Sequence, residues 1–154
     1  MASVPTTNPK RRKTMNDEDY VSYELALKLK ACGFDEPCDY GYSVKMRLEP
    51  EVSFGEPKMV HSKAPKNYND NRKGIEKGLS FCSAPLLYQA QKWLREKKHL
   101  SVEPYANIVA NFNYNIADLE SFADYKGQGI GYESYERALV AGISASLELI
   151  KKGE

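Results

Sequence analysis

Apolar positions recur along this chain at two spacings, and each spacing predicts an element. Leu25, Ala26, Leu29 and Cys32 fall three to four residues apart after Ser22, whose hydroxyl can accept from the free amides of a first helical turn. A helix from Ser22 to Gly33 follows, with Gly33 as its stop and Asp35-Glu36-Pro37 as the turn beyond. Tyr40, Tyr42, Val44, Met46 and Leu48 then alternate with Gly41, Ser43, Lys45 and Arg47, the period of a strand with one buried face.

From Glu49 to Gly78 both periods are lost. Pro50, Pro57 and Pro65 and the polar run Lys66-Asn67-Tyr68-Asn69-Asp70-Asn71 interrupt every register. So long an irregular stretch inside a domain is either a functional loop or a loop that conceals a short strand near Lys58–His61. A further short strand covers Leu79–Cys82.

A second helix is predicted to start after Ser83, with Pro85 in its first turn where the missing amide costs nothing. Leu86, Leu87, Ala90, Trp93 and Leu94 share one side of it, and Gln91, Lys92, Arg95 and Lys98 the other. After Leu100 comes an extended segment broken at Pro104. Ile108, Ala110, Phe112, Tyr114 and Ile116 then alternate with Val109, Asn111, Asn113 and Asn115 as another strand. Gly127, Gly129 and Gly131 form a flexible connection to a last helix capped by Ser134. Its stripe runs through Tyr135, Ala138, Leu139, Gly142, Ile143, Ser146, Leu147 and Ile150. Glycine costs about 1 kcal/mol in a helix interior, so Gly142 on that stripe predicts close approach to another backbone. The order of elements describes an α+β domain: about three helices packed on one face of a mostly antiparallel sheet of three to five strands.

One pattern occurs twice. Tyr20-x-Ser22-Tyr23-Glu24-x-Ala26-Leu27 matches Tyr132-x-Ser134-Tyr135-Glu136-x-Ala138-Leu139. Shared helix-start chemistry accounts for it: an extended residue, a serine cap, an acid in the first turn and core residues one turn on. Internal duplication is the alternative.

Composition narrows the class. Residues 1–19 carry no period and hold the run Lys10-Arg11-Arg12-Lys13 followed by Asp17, Glu18 and Asp19; they read as a disordered tail before a single domain at 20–152. The 154 residues carry 22 bases and 21 acids, a net charge of +1, which excludes a protein that seeks polyanions by bulk charge. The balance is uneven along the chain, with 14 bases against 10 acids in residues 20–98 and 4 against 8 in residues 99–154. A dipolar molecule results if those portions stay apart in space. No apolar run approaches the roughly 20 residues of a membrane helix. Cys32, Cys38 and Cys82 are odd in number and follow no signal peptide, which points to buried thiols in a reducing cytoplasm rather than to disulfides.

Candidate chemistry is sparse. Lys10, Arg11, Arg12 and Lys13 could neutralise nucleic-acid phosphates, although a solubilising tail explains them as well. Arg95, Lys97 and Lys98, with Lys92, surround Trp93, a combination suited to stacking on nucleic acid, yet Trp93 shares its face with Leu86 and Ala90, the position of a core residue. Gly127, Gly129 and Gly131 precede a helix like a phosphate cradle, but the spacing is wrong and Tyr132-Glu133 puts a carboxylate where an anion would sit. Cys32, Cys38, His61 and Cys82 are of the right type for zinc without its paired short spacings. His61 and His99 stand near no nucleophile motif. No catalytic, cofactor or metal residue is assigned. Eleven tyrosines suit half-buried sheet faces and binding surfaces alike, and Asn111, Asn113 and Asn115 make the polar side of a strand.

The segments Tyr20-Val-Ser-Tyr-Glu-x-Ala-Leu-x-Leu-Lys, Gly33-Phe-Asp-Glu-Pro-Cys-x-Tyr-Gly-Tyr, Ser83-Ala-Pro-x-x-x-Gln-Ala-x-x-Trp-Leu-Arg-Glu and Tyr132-x-Ser-Tyr-Glu-x-Ala-Leu-x-x-Gly-Ile occur in this order. In them the chain resembles a family of small uncharacterised proteins of gut bacteria and of their phages and prophages. The resemblance touches most of residues 20–152 and carries over no site residue. It implies a phage or mobile-element accessory protein in the host cytoplasm. The leading expectation is a non-enzymatic module that binds a protein partner or itself through the tyrosine-rich sheet and the 49–78 loop. The alternative is a nucleic-acid-binding protein that uses the basic tail and the basic residues of 58–98.

Overall fold

A computed structural model of the chain describes residues 19–48, 50–70, 78–107, 111–127 and 131–153. The 1–19 tail, Lys10–Lys13 included, lies outside them except for Asp19.

Helix α1 (Tyr23–Ala31) begins as its sequence predicts. The Ser22 hydroxyl accepts from the Leu25 amide at 3.2 Å, Glu24 sits at the positive end of the helix dipole, and Gly33 takes a φ of +90° just past the end. Strand β1 (Cys38–Leu48) follows and pairs antiparallel with β2 (Glu51–Lys66) on one side and β3 (Leu79–Ser83) on the other. The expected loop at 49–78 is thereby corrected: sixteen of its residues are a strand, within which the short Lys58–His61 strand is contained. β2 is the edge of the sheet order β2-β1-β3, and its side chains from 52 to 58 are exposed. An edge strand held by backbone ladder bonds needs no apolar alternation and tolerates proline.

Helix α2 (Leu87–Lys97) starts later than predicted. Ser83 ends β3, and Ala84–Leu86 stays extended because its backbone is already bonded: Ala84 N–H donates to Tyr40 O at 2.9 Å, and Pro85 O accepts from Val21 N–H at 3.1 Å. Leu86 occupies the cap position with no side-chain cap. Leu87, Ala90, Trp93 and Leu94 are buried, which makes Trp93 a core residue whose ring meets Phe34 at 5.3 Å.

The second sheet has the order β4-β5-β6, built from β4 (Leu100–Ala106), β5 (Phe112–Asp118) and β6 (Asp124–Lys126), all antiparallel. Pro104 does not break β4, because β4 is an edge strand where a missing amide proton costs no ladder bond. The alternation that begins at Ile108 becomes strand only from Phe112; residues 108–110 lie outside the described set. Helix α3 (Tyr135–Lys152) buries Ala138, Leu139, Gly142, Ile143, Ser146 and Leu147, as its stripe predicts, and lies on β4 and β5 with α2 and α1 beside it. Gly142 faces side chains rather than backbone: a Cβ there would stand 2.5 Å from Val102 Cγ1 and 3.1 Å from Tyr114 Cγ.

The fold is α+β: the described residues form three helices and six antiparallel strands, and the strands divide between two sheets. The repeated pattern performs the same task twice. Tyr20 bridges Leu86 and Tyr132 bridges Phe112; two residues on, Ser22 and Ser134 each accept an amide three residues ahead. Among the described residues, no helix is long and apolar enough to cross a membrane.

Candidate functional site

The two faces of the first sheet have different fates. Tyr40, Tyr42 and Val44 point to the inner face, where Tyr20 meets Tyr40 at 5.1 Å, Tyr23 meets Tyr42 at 5.6 Å, and the Tyr42 hydroxyl donates to Val21 O at 2.7 Å. These tyrosines are occupied within the fold. On the outer face, Tyr68 lies over Gly41, where a Cβ would come within 2.5 Å of its ring. Three bonds dock it: Tyr68 N–H donates to Ser83 Oγ at 3.0 Å, Ser83 N–H donates to Asn69 Oδ1 at 2.9 Å, and the Tyr68 hydroxyl donates to Asp39 O at 3.2 Å.

Beyond Tyr68 the outer face is open. Between the pairs Ser43–Lys58 and Lys45–Phe54, Gly55, Glu56 and Pro57 of β2 stand opposite Val44 alone. Such a bulge bends its strand, and Gly55 accommodates it with a φ of +85°. The bend leaves a groove of about 340 Å³ lined by Ser43, Lys45, Phe54, Glu56, Lys58 and Leu79. Phe54 is 45% exposed, and the Arg47 guanidinium lies 5.7 Å from its ring centre. Among the described residues, Lys45, Arg47 and Lys58 form no ion pair. Farther along the same face Lys66 lies over the Tyr68 ring at 4.7 Å.

The basic residues singled out in the sequence are dispersed. Lys58 and Lys66 belong to β2, whereas Arg95 and Lys97 are exposed on the last turn of α2. Lys98 stands 5.6 Å from the Trp93 ring centre, but that ring is buried and offers no stacking surface. Lys92 is engaged with Glu96. His61 packs on Tyr40, and His99 Nε2 lies 3.5 Å from Glu120 Oε1. The three cysteines are buried; burial pushes the Cys38 thiol up to about 12 and the Cys82 thiol to about 11, which suits neither a nucleophile nor a metal ligand. Among the described residues, no cluster of three or more metal-ligating side chains occurs.

The glycine segment serves packing. Gly127 lies against Asn113 and Tyr114, and Gly131, at φ +107°, lets Tyr132 pair with Phe112; Gly129 is outside the described residues. The asparagine row is not an open ladder. Asn113 is buried with its Oδ1 accepting from the Tyr114 amide, and Asn115 Nδ2 donates to Asp124 Oδ1 at 3.3 Å. A larger depression of about 480 Å³, lined among others by Asp19, Leu87, Tyr88, Glu136 and Leu139, carries two acids and no base.

Phe54, Lys45 and Arg47 escaped the sequence reading for a definite reason. Lys45 and Arg47 look like the solvated side of a strand, and only the bulge brings Phe54 and Lys58 beside them. No protein-family model, curated protein or solved structure matches the chain.

Proposed function

We propose that this protein is a non-enzymatic binding module that uses the outer face of its first sheet to hold an acidic protein surface presenting an apolar side chain. One observation carries the reading: Lys45, Arg47 and Lys58, which have no carboxylate partner among the described residues, gather beside the exposed ring of Phe54 at a groove of side-chain size. Three cations supply orientation and a faster encounter, and the apolar lining supplies affinity. The setting we propose is that of a phage or mobile-element accessory protein, supported by the motif resemblance alone. Its compartment would be the cytoplasm, with which the buried thiols of Cys38 and Cys82, outside any disulfide, agree.

Nucleic acid is the second reading, favoured by the pairing of cations with rings at Arg47–Phe54 and Lys66–Tyr68. Glu56 inside the groove and the small number of cations favour protein. Amide chemical shifts, followed while titrating the full chain with a short Asp/Glu-rich peptide containing phenylalanine and with a single-stranded oligonucleotide, separate the two. The peptide should shift Ser43, Lys45, Phe54, Lys58 and Leu79, and Lys45→Glu with Lys58→Glu should abolish those shifts. Oligonucleotide binding that falls steeply with salt, without peptide binding, would replace this reading by the second.

A further inference from the structure

The β5–β6 turn presents a side chain that the fold does not use. Phe122 is 89% exposed and adopts a φ of +63°, a region that bulky L residues avoid. The turn is nevertheless tightly built. The Asp118 carboxylate accepts from the amides of Glu120 at 2.9 Å and Ser121 at 3.2 Å. Asp118 O accepts from the Phe122 amide at 2.8 Å, and Ser121 Oγ accepts from the Ala123 amide at 3.3 Å. These bonds hold an unfavourable backbone in place and leave the ring in solvent.

Three acids stand within four residues of Phe122: Asp118, which caps the Glu120 and Ser121 amides, Glu120 beside His99, and Asp124, which accepts from Asn115, with Lys126 as the base of β6. The groove on the first sheet has the converse character, with Lys45, Arg47 and Lys58 around an apolar floor and, among the described residues that line it, Glu56 as the one acid. Part of the unequal charge of the two portions of the chain thus falls on an acidic turn of the second sheet that carries Phe122 as a knob and on a basic groove of the first. A groove of about 340 Å³ has room for one aromatic side chain.

We infer that a second copy of this chain occupies the groove, inserting Phe122 beside Phe54 with its flanking acids against Lys45, Arg47 and Lys58. This rests on the binding role assigned to the groove above and names its occupant. Because knob and groove are different surfaces, the contact is heterologous: each copy added leaves one groove and one knob free, so assembly runs head to tail into open chains or rings.

Sedimentation of the full-length protein over a concentration series tests this, with Phe122→Ala as the knob variant and Lys45→Glu/Lys58→Glu as the groove variant. All three changes are at exposed positions, and circular dichroism verifies folding. The wild type should gain mass beyond a dimer as concentration rises, and raising the salt should weaken that gain. Each variant alone should need at least tenfold higher concentration to associate. Mixed in equal amounts, the two variants should form a dimer and stop there, since between them they retain one working knob and one working groove. Wild type that stays monomeric, association indifferent to either variant, or variants that fail to pair on mixing would each overturn the inference. If the wild type is monomeric while its groove still binds the acidic phenylalanine peptide, the binding role survives and only the self-association falls. If the peptide fails as well, both fall.

Discussion

Replacing Gly142 with alanine sets two effects of opposite sign against each other. Helix propensity alone favours the change by about 1 kcal/mol in the middle of α3. Packing opposes it. The added Cβ would lie 2.5 Å from Val102 Cγ1, about 1 Å inside the 3.5–4.0 Å optimum for carbon contacts, with two atoms of the Tyr114 ring at 3.1 and 3.2 Å. Val102 is 1% exposed, paired with Ile116 across β4 and β5, and stiff at χ1, so it has nowhere to go. Overpacking of this kind costs about 1–3 kcal/mol, which leaves a net loss of about 1 kcal/mol and a fall in Tm of about 3 °C. Urea unfolding followed by circular dichroism measures it. The sharper readout is the double mutant with Val102→Ala, which removes the clashing methyl: its destabilisation should be smaller than the sum of the single changes by about 1 kcal/mol. A raised urea midpoint for Gly142→Ala, or additivity within about 0.5 kcal/mol, would refute the packing of α3 on β4 described above.

Ser83→Ala leaves the buried Tyr68 amide without its acceptor and should cost about 1–3 kcal/mol in urea unfolding, more than removal of the exposed cap by Ser134→Ala at about 1 kcal/mol. The opposite ranking would remove Tyr68 as the anchor of the outer sheet face. For Cys38 and Cys82 the folded pKa lies above the ordinary thiol value, so stability is flat with pH up to about 9 and declines above it, as the unfolded chain ionises first. At pH 8 these two thiols should react with a thiol reagent only as fast as the protein opens; immediate labelling of either in the native state would contradict their burial. Asp118 is shifted the other way, lowered first by the Glu120 amide and then by the Ser121 amide. Its contribution is therefore complete above the ordinary aspartate value near 4 and lost as pH falls through the lower folded value. A carbon-13 titration of its carboxyl group should show this, and an ordinary midpoint would mean the turn is not closed.

Ser22 and Ser134 announce their helices correctly because a cap bond reaches only three residues ahead, so the information sits in one short segment. The stripe on α3 and the burial of Trp93 were likewise legible, since periodicity records which face of a helix meets a core. β2 was not legible. Its ladder bonds come from the backbone, its side chains from 52 to 58 face water, and apolar alternation is therefore absent where the strand is longest. Pro85 misled in a similar way: a local preference for a first helical turn yielded to backbone bonds with Val21 and Tyr40, partners that lie far off in the chain.

What the amino-acid order determined by itself is the set of local decisions: two capped helices, a strand over Tyr40–Leu48, an α+β class, and an uneven distribution of charge from one portion to the other. The tertiary structure decided everything that depends on residues distant in sequence meeting in space. Strand pairing with a three-against-one bulge set Phe54 and Lys58 beside Lys45 and Arg47, and two separate sheets kept that basic groove apart in kind from the acidic turn that carries Phe122. The reason is physical: caps and periods are written by neighbours along the chain, whereas a groove is written by register and curvature, which no short segment contains.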